Sequence, residues 1–188
     1  LILNKFLALS VFVIFAFALM SVLLTVGMGL LRAIAGASYG PEITGEVLRT
    51  TAADYARSAG LGFLSTLIAA GYAALAGMFS RSILGGVLVA YGLTIAENLS
   101  LVALLLIAIF LDFRAIVHLY RFLPGYNLQN LDSWFRIGEP APLEIAFSGT
   151  DRLVVRDSAE FSALVIAAWV VGLIGLTVYL FRRQDITS

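Results

Sequence analysis

The chain has 188 residues, of which 61% are hydrophobic and 13% charged, and its mean hydropathy is +0.98. Soluble domains carry about a quarter charged residues, so this composition indicates a protein that lies in a lipid bilayer. The net charge of zero argues against a nucleic-acid partner, and the lack of cysteine excludes disulfides, cysteine-ligated zinc and iron-sulfur clusters.

The chain begins at Leu1 and enters an apolar run almost at once. A cleaved signal peptide is one interpretation, but the run is longer than the hydrophobic region of about 7 to 15 residues that such peptides carry. We therefore expect this sequence to be the later part of a longer protein.

Four stretches are long enough to cross the hydrocarbon core, which needs about 20 apolar residues. The first two are residues 7–31, which hold no charge, and residues 60–79, which lie between Arg57 and Arg81. The third is residues 83–111, and the fourth is residues 161–181. The sequence thus predicts an all-α fold, a polytopic transmembrane helical bundle of a single domain with about four spans.

Small residues recur at every fourth position in the second stretch, at Ala69, Ala73 and Gly77. Residues four apart share a helix face, and a face of small side chains lets another helix approach closely. We predict that these three residues form a helix-packing surface. Asp157 and Glu160 stand before the fourth stretch at capping-box spacing, which predicts a helix start there.

Two polar segments separate the spans. Residues 32–59 contain Gly40 and Pro41 followed by GEVLRTTAADYARS, which favours a turn and a short amphipathic helix at the membrane surface. Residues 112–160 hold three of the four prolines, five arginines and seven acids, and we expect them to form an interfacial or extracytoplasmic segment. Within it, residues 151–157, DRLVVRD, fit either a strand or a loop.

The charge distribution leaves the orientation open. With a cytoplasmic N-terminus, the inner ends would hold four Lys and Arg residues and the outer segments eight, against the positive-inside rule. Five of those eight lie in the long segment 112–160, and longer segments weigh less in the rule.

Glu97 and Asn98 are candidates for a substrate path, because Glu97 is the ionisable group deepest in a predicted span, fourteen residues from either end. A carboxylate in lipid costs at least about 2.5 kcal/mol, so Glu97 should face protein or water. It could contact a proton or substrate in a transport path. It could equally form a hydrogen bond with a neighbouring helix or divide the long segment in two.

Other chemistry finds little support in the sequence. His118 is the sole histidine, so a bis-histidine haem site is excluded and we expect no metal or cofactor. GxSxG, HExxH and GxxxxGK[ST] motifs are absent, so we expect no catalytic residues and place any ATP hydrolysis in another chain.

Three local motifs follow one another along the chain. The first is AALAGMFSRSILGGVLVA at residues 73–90, and the second is the Leu123-Pro124 element with residues 127–131 after it. The third is the terminal YLFRRQDITS, in which an aromatic residue precedes Arg182 and Arg183. In this order, the three motifs resemble those of ABC-2 type transporter permeases.

The resemblance implies a six-helix permease half of a bacterial inner membrane, of which this chain would supply helices three to six. It implies a cytoplasmic C-terminus, and short re-entrant or interfacial helices in residues 112–160. The partners implied are a second permease subunit and an ATPase subunit, within the lipid bilayer. The alternative is a structural subunit that anchors a larger membrane complex and transports nothing.

Overall fold

Five α-helices, one 3-10 helix and a two-stranded hairpin make up the described part of the chain. The computed structural model describes residues 2–35, 44–147 and 152–185. The elements, in chain order, are α1 (Ile2–Ala35), α2 (Gly45–Ser80), α3 (Ile83–Phe110), the 3-10 helix (Arg114–Phe122), α4 (Pro124–Ile137), β1 (Leu143–Ala146), β2 (Arg152–Val155) and α5 (Ala159–Asp185).

Four of these helices are long and apolar enough to cross a membrane, as the hydropathy predicts. The segments are Leu7–Leu31, Gly45–Ser80, Leu84–Phe110 and Ala159–Arg183. The all-α helical-bundle prediction is confirmed, with one small β-hairpin added to it.

The second span begins earlier than its apolar run. Residues 45–58, predicted as a separate amphipathic helix, form the first part of α2 instead. The hydroxyl of Thr44 accepts a hydrogen bond from the Val47 amide at 3.3 Å, which caps the helix start. Helix formers such as Glu46, Leu48 and Arg49 follow without a breaker, so the helix continues into the apolar run. The predicted turn at Gly40 and Pro41 lies outside the described residues.

A two-residue turn joins α2 to α3. Arg81 adopts a left-handed conformation with φ of 50°, and Ser82 caps α3 by accepting a hydrogen bond from the Gly85 amide at 3.3 Å. The chain therefore reverses direction immediately, which places α2 and α3 side by side at this end.

The segment between α3 and α5 folds back onto both of them. The 3-10 helix packs along α3, and α4 packs along α5. β1 and β2 pair antiparallel, with Leu143 opposite Val155, so the stretch that fitted a strand or a loop contains a strand. A small core joins these pieces, and its buried members are Ala108, Val117, Tyr126, Leu143, Ile145 and Val155.

The chain divides into two compact units, Leu1–Phe63 and Leu64–Ser188. Within the first unit, the Tyr55 hydroxyl donates to the Phe17 carbonyl oxygen at 2.5 Å. The same Phe17 ring would lie 3.0 Å from a Cβ on Gly62. The second unit contains the polar side chains discussed below.

Candidate functional site: a polar junction between the last two spans

Glu97 lies near the middle of the 28-residue α3, and its carboxylate reaches the beginning of α4. Its Oε1 accepts a hydrogen bond from the backbone N–H of Gly125. At a rise of 1.5 Å per residue, Glu97 is about 20 Å from either end of α3. After α3 ends at Phe110, the chain therefore runs back alongside this helix, and α4 begins next to the middle of α3.

The first turn of α4 is built to receive this carboxylate. Pro124 stands at the first helical position and Leu123 supplies no side-chain cap, so Gly125 offers an amide donor that the helix itself does not satisfy. A Cβ on Gly125 would lie 2.9 Å from Glu97 Oε1, so the absence of a side chain permits the approach. Negative charge is also favourable at a helix N-terminus, because the helix dipole is positive there.

Asn98, the other candidate for a substrate path, points elsewhere. Its side chain is exposed and donates to the carbonyl oxygen of Thr94 within α3, at 2.8 Å. Glu97 thus forms a hydrogen bond with a residue of α4, whereas the hydrogen bond of Asn98 lies within α3.

A second polar group surrounds Asp157, which lies just before α5 and is 4% exposed. Arg121, at the end of the 3-10 helix, donates from Nε to both carboxylate oxygens at 3.1 and 3.0 Å, and from Nη2 to one of them. The hydroxyl of Tyr126 donates to the second oxygen at 3.0 Å. The carboxylate is thus paired with a cation and held by a neutral donor, as a buried charge requires.

The main-chain carbonyl oxygen of Asp157 links the beginning of α5 to α4 by accepting two hydrogen bonds. It accepts from Asn130 Nδ2 at 3.0 Å and from Trp134 Nε1 at 3.1 Å. Asn130, which is fully buried, also donates to the Ser162 hydroxyl at 2.9 Å and accepts from the Ala141 amide at 2.8 Å. We call this group the polar junction, and its members are Arg121, Tyr126, Asn127, Asn130, Trp134, Asp157 and Ser162.

The side chain of Asn127 stabilises the bend between the 3-10 helix and α4. Its Nδ2 donates to the carbonyl oxygens of Arg121 and Leu123, at 2.7 and 2.8 Å. These carbonyls lie where one helix ends and the next begins, so the side chain fixes the bend. The Oδ1 of Asn127 and the Nδ1 of His118 are buried polar atoms for which the structure gives no hydrogen-bond partner.

The pKa values of two members of the polar junction, Tyr126 and Arg121, are raised where they bind Asp157. Burial and the hydrogen bond to Asp157 raise the pKa of Tyr126 well above its usual 10.0, so its hydroxyl stays neutral and keeps donating. The same carboxylate raises the pKa of Arg121. Tyr126 therefore stays neutral and Arg121 stays positively charged across the neutral range.

Aromatic rings pack around the junction and along α5. Trp169 Nε1 donates to the carbonyl oxygen of Phe122 at 2.7 Å, and the Arg121 guanidinium carbon lies 5.2 Å from the centre of the Phe161 ring. The Phe122 and Phe161 rings meet edge to face at 5.9 Å. Contacts of this kind add about 0.5–1.5 kcal/mol each to the packing.

The predicted packing residues of α2 lie in different surroundings. Ala69 is exposed, whereas Ala73 and Gly77 lie against the start of α3. A Cβ on Gly86 would come within 2.8 Å of both the Ala73 carbonyl oxygen and the Gly77 Cα. A separate close approach occurs at Gly71, where a Cβ would lie 2.8 Å from Leu173 Cβ on α5. The helix α2 therefore presents small residues to two neighbours.

The polar junction is absent from the sequence prediction, which singled out Glu97 but gave it no partner. The sequence signal for the polar junction is the concentration of charged residues in 112–160, which hold five arginines and seven acids. The spacing of Asp157 and Glu160 predicts a capping box at the start of α5, but Ser158 is the cap and its hydroxyl accepts a hydrogen bond from the Phe161 amide at 3.2 Å. Asp157 is free to pair with Arg121 because Ser158 caps the helix.

Among the described residues, no group of three His, Asp or Glu side chains lies close enough to hold a metal ion. The junction offers a fixed ion pair and neutral donors, and Glu97 offers one carboxylate at half the length of α3. Such an arrangement can hold helices in register and contact a solute. Comparison with protein-family models, with curated proteins and with solved structures finds no match to this chain.

Proposed function

We propose that this chain is the membrane-spanning part of an ABC-2 type permease, which forms a substrate path while a separate ATPase subunit supplies the energy. A second permease subunit would complete the path within the bilayer of a bacterial inner membrane, with the C-terminus in the cytoplasm. The order of the three sequence motifs and the four apolar helices support this proposal.

The observation that carries the proposal furthest is the return of the chain to Glu97. Irregular backbone at the depth of a membrane is tolerated only where it is buried in protein or lines a water-filled cavity. Ionisable side chains inside spans mark substrate and ion pathways. Here the break before α4 and the carboxylate of Glu97 meet at the same level of α3. A permease uses such a site, whereas a passive span gains little from it.

The first test of the proposal is purification from native membranes in mild detergent, with mass spectrometry of the chains that copurify. We expect a stoichiometric subunit with a phosphate-binding GxxxxGK[ST] loop. Copurification with redox or light-harvesting subunits and without an ATPase would instead favour the structural anchor.

The second test replaces Glu97 by Gln in the complex reconstituted into vesicles. Gln keeps an oxygen that can accept from Gly125 N–H, so we expect an unchanged thermal midpoint of unfolding. Transport should be lost, because the negative charge at half the length of α3 is gone. Glu144→Gln, an exposed acid on β1, is the matched control and should transport at the wild-type rate. Wild-type transport by Glu97→Gln would contradict a role for the charge.

A further inference from the structure

The carboxylate of Glu97 has no positively charged partner within the part of the chain that the structure describes. It accepts a hydrogen bond from the backbone N–H of Gly125, which carries no charge. Arg121, the cation of the polar junction, is paired with Asp157 instead. Acids inside membrane spans ordinarily pair with another group, because an isolated charge is costly there. One neutral donor does not balance the charge, so the described residues leave Glu97 without a counter-ion.

Aromatic side chains from three other elements lie near Glu97. Its charge acts on the hydroxyls of Tyr72 in α2 and of Tyr120 in the 3-10 helix. Burial and this charge raise the pKa of Tyr120, so its hydroxyl stays neutral. The Tyr72 ring meets the Trp169 ring of α5 edge to face, with the ring centres 6.0 Å apart, and Trp169 donates to the Phe122 carbonyl oxygen just before α4. We call Glu97, Tyr72, Tyr120 and Trp169 the acidic-aromatic site.

The acidic-aromatic site is open at its surface. All four of its members are partly exposed, and Gly125 beside the carboxylate is exposed. Leu93, one turn before Glu97 on the same face of α3, and the Phe122 side chain are exposed as well. A ligand that reaches the carboxylate therefore also contacts apolar surface.

The chemistry of the acidic-aromatic site favours a positively charged organic ligand. A calcium ion takes about six to eight oxygen ligands, whereas no three acids or histidines of the described residues lie together. The carboxylate repels an anion, and a neutral solute leaves its charge unbalanced. An organic cation pairs with the carboxylate and can pack its carbon groups on tyrosine and tryptophan rings, whose faces attract positive charge.

We propose that the acidic-aromatic site binds an apolar organic cation, and that such cations are the substrate class of the permease. Glu97 supplies the opposite charge, and the rings of Tyr72, Tyr120 and Trp169 supply apolar contact. A bound cation replaces the water around the carboxylate without leaving its charge unpaired. The inference rests on the proposed function for the transport step, whereas binding requires only the residues of α2, α3, the 3-10 helix and α5.

The test compares tetraphenylphosphonium with tetraphenylborate, two ions of nearly the same size and shape but opposite charge. The purified protein in lipid nanodiscs, without an ATPase, is titrated with each ion by equilibrium dialysis, and empty nanodiscs measure partitioning into lipid. We expect saturable binding of tetraphenylphosphonium only. Saturable binding of neither ion, or equal binding of both, would overturn the proposal. Either result leaves the copurification of an ATPase unaffected, so failure of the site is distinguished from failure of the proposed function.

Two variants assign the binding to the acidic-aromatic site. Glu97→Gln keeps an acceptor for Gly125 but loses the charge, and should lower the affinity for tetraphenylphosphonium at least about tenfold. Tyr72→Leu keeps the charge but loses a ring, and should lower the affinity about threefold.

The matched controls are Glu144→Gln on β1 and Tyr91→Leu on α3, both at exposed positions, and each should bind like the wild type. The thermal midpoint of unfolding shows whether each variant is folded. Wild-type affinity in folded Glu97→Gln or folded Tyr72→Leu would overturn the proposal. If neither variant folds, the comparison of the two ions on the wild-type protein decides.

Discussion

Asp157 is the residue on which the polar junction depends. It is one acid among the twelve acidic residues of the chain, yet it binds side chains from the 3-10 helix and from α4. A buried carboxylate is stable only when it is paired and hydrogen-bonded, and here both conditions are met. The polar junction thus converts a charge that would oppose folding into one that orients three elements.

Replacing Asp157 by Ala should destabilise the protein by about 2–3 kcal/mol, because the Tyr126 hydroxyl and the Arg121 guanidinium lose their acceptor. This is below the usual cost of breaking a buried pair, since the Arg121 side chain is 30% exposed and can reach water. Denaturant unfolding in mixed micelles measures the change. Asp132→Ala is the control: it breaks an exposed pair with Arg136 and should cost at most about 0.5 kcal/mol. Equal losses in the two variants would contradict a special role for Asp157.

Tyr126 should make the protein sensitive to alkali. Its pKa is raised in the folded state, so above pH 10 the unfolded chain loses this proton first and stability falls as pH rises. Below pH 10 the contribution is fully present. Tyr126→Phe should be less stable at neutral pH, because the bond to Asp157 is missing, but should lose less stability between neutral pH and pH 11. Unfolding midpoints across that range provide the measurement, and parallel declines in both proteins would refute the assignment.

At the scale of elements, glycines set how closely the helices pack. Gly86 and Gly77 bring α3 against α2 beside the turn at Arg81. Gly71 brings α2 against Leu173 of α5 in the same way. In lipid, where apolar side chains gain little by leaving the solvent, close backbone approach of this kind is a main source of helix association.

Gly86→Ala should therefore lower stability by about 1–3 kcal/mol, because its Cβ meets backbone atoms of α2 at 2.8 Å that cannot move aside. Gly92→Ala is the matched control on the same helix, since nothing lies within 4 Å of its Cβ. It should be neutral or stabilising, because alanine favours the helix more than glycine does. Thermal unfolding in detergent compares the two, and an unaffected Gly86→Ala variant would show that α2 and α3 are not in close contact.

Hydropathy locates the spans because each is a continuous local pattern. The start of α2 and the partners of Glu97 are not local properties. Helix formers carry α2 back to Gly45 without an apolar run to mark it. Glu97 meets a residue 28 positions away, and Arg121 meets one 36 positions away. A single sequence can identify such charged residues as unusual in an apolar chain, but it does not show which of them lie close together in the folded protein.

At the scale of the whole molecule, most of the apolar surface of the spans has no protein cover. None of the most apolar window of α1 is buried, and Phe12, Phe15 and Met28 are each more than 60% exposed. Such surfaces are stable in contact with lipid acyl chains or with other apolar helices.

If α3 crosses the bilayer once, the turn before it and the segment after it must face opposite sides, whichever way the chain is oriented. Single cysteines at Arg81 and Glu139, both exposed, test this in the otherwise cysteine-free chain. A membrane-impermeant maleimide added to sealed vesicles should label one of the two positions, and detergent should make the other reactive. Labelling of both in sealed vesicles would contradict a single crossing by α3.

The two-residue turn at Arg81 and Ser82 also bears on how the protein is made. Because so little chain separates them, α2 and α3 leave the ribosome in immediate succession and can enter the bilayer as a preformed helical pair, joined at Gly77 and Gly86. Glu97 would then enter the bilayer before Gly125, 28 residues later in the chain, has left the ribosome, so its carboxylate must wait, protonated or hydrated, for its partner. The order of synthesis thus makes the contact between Glu97 and Gly125 a later step than the pairing of α2 and α3.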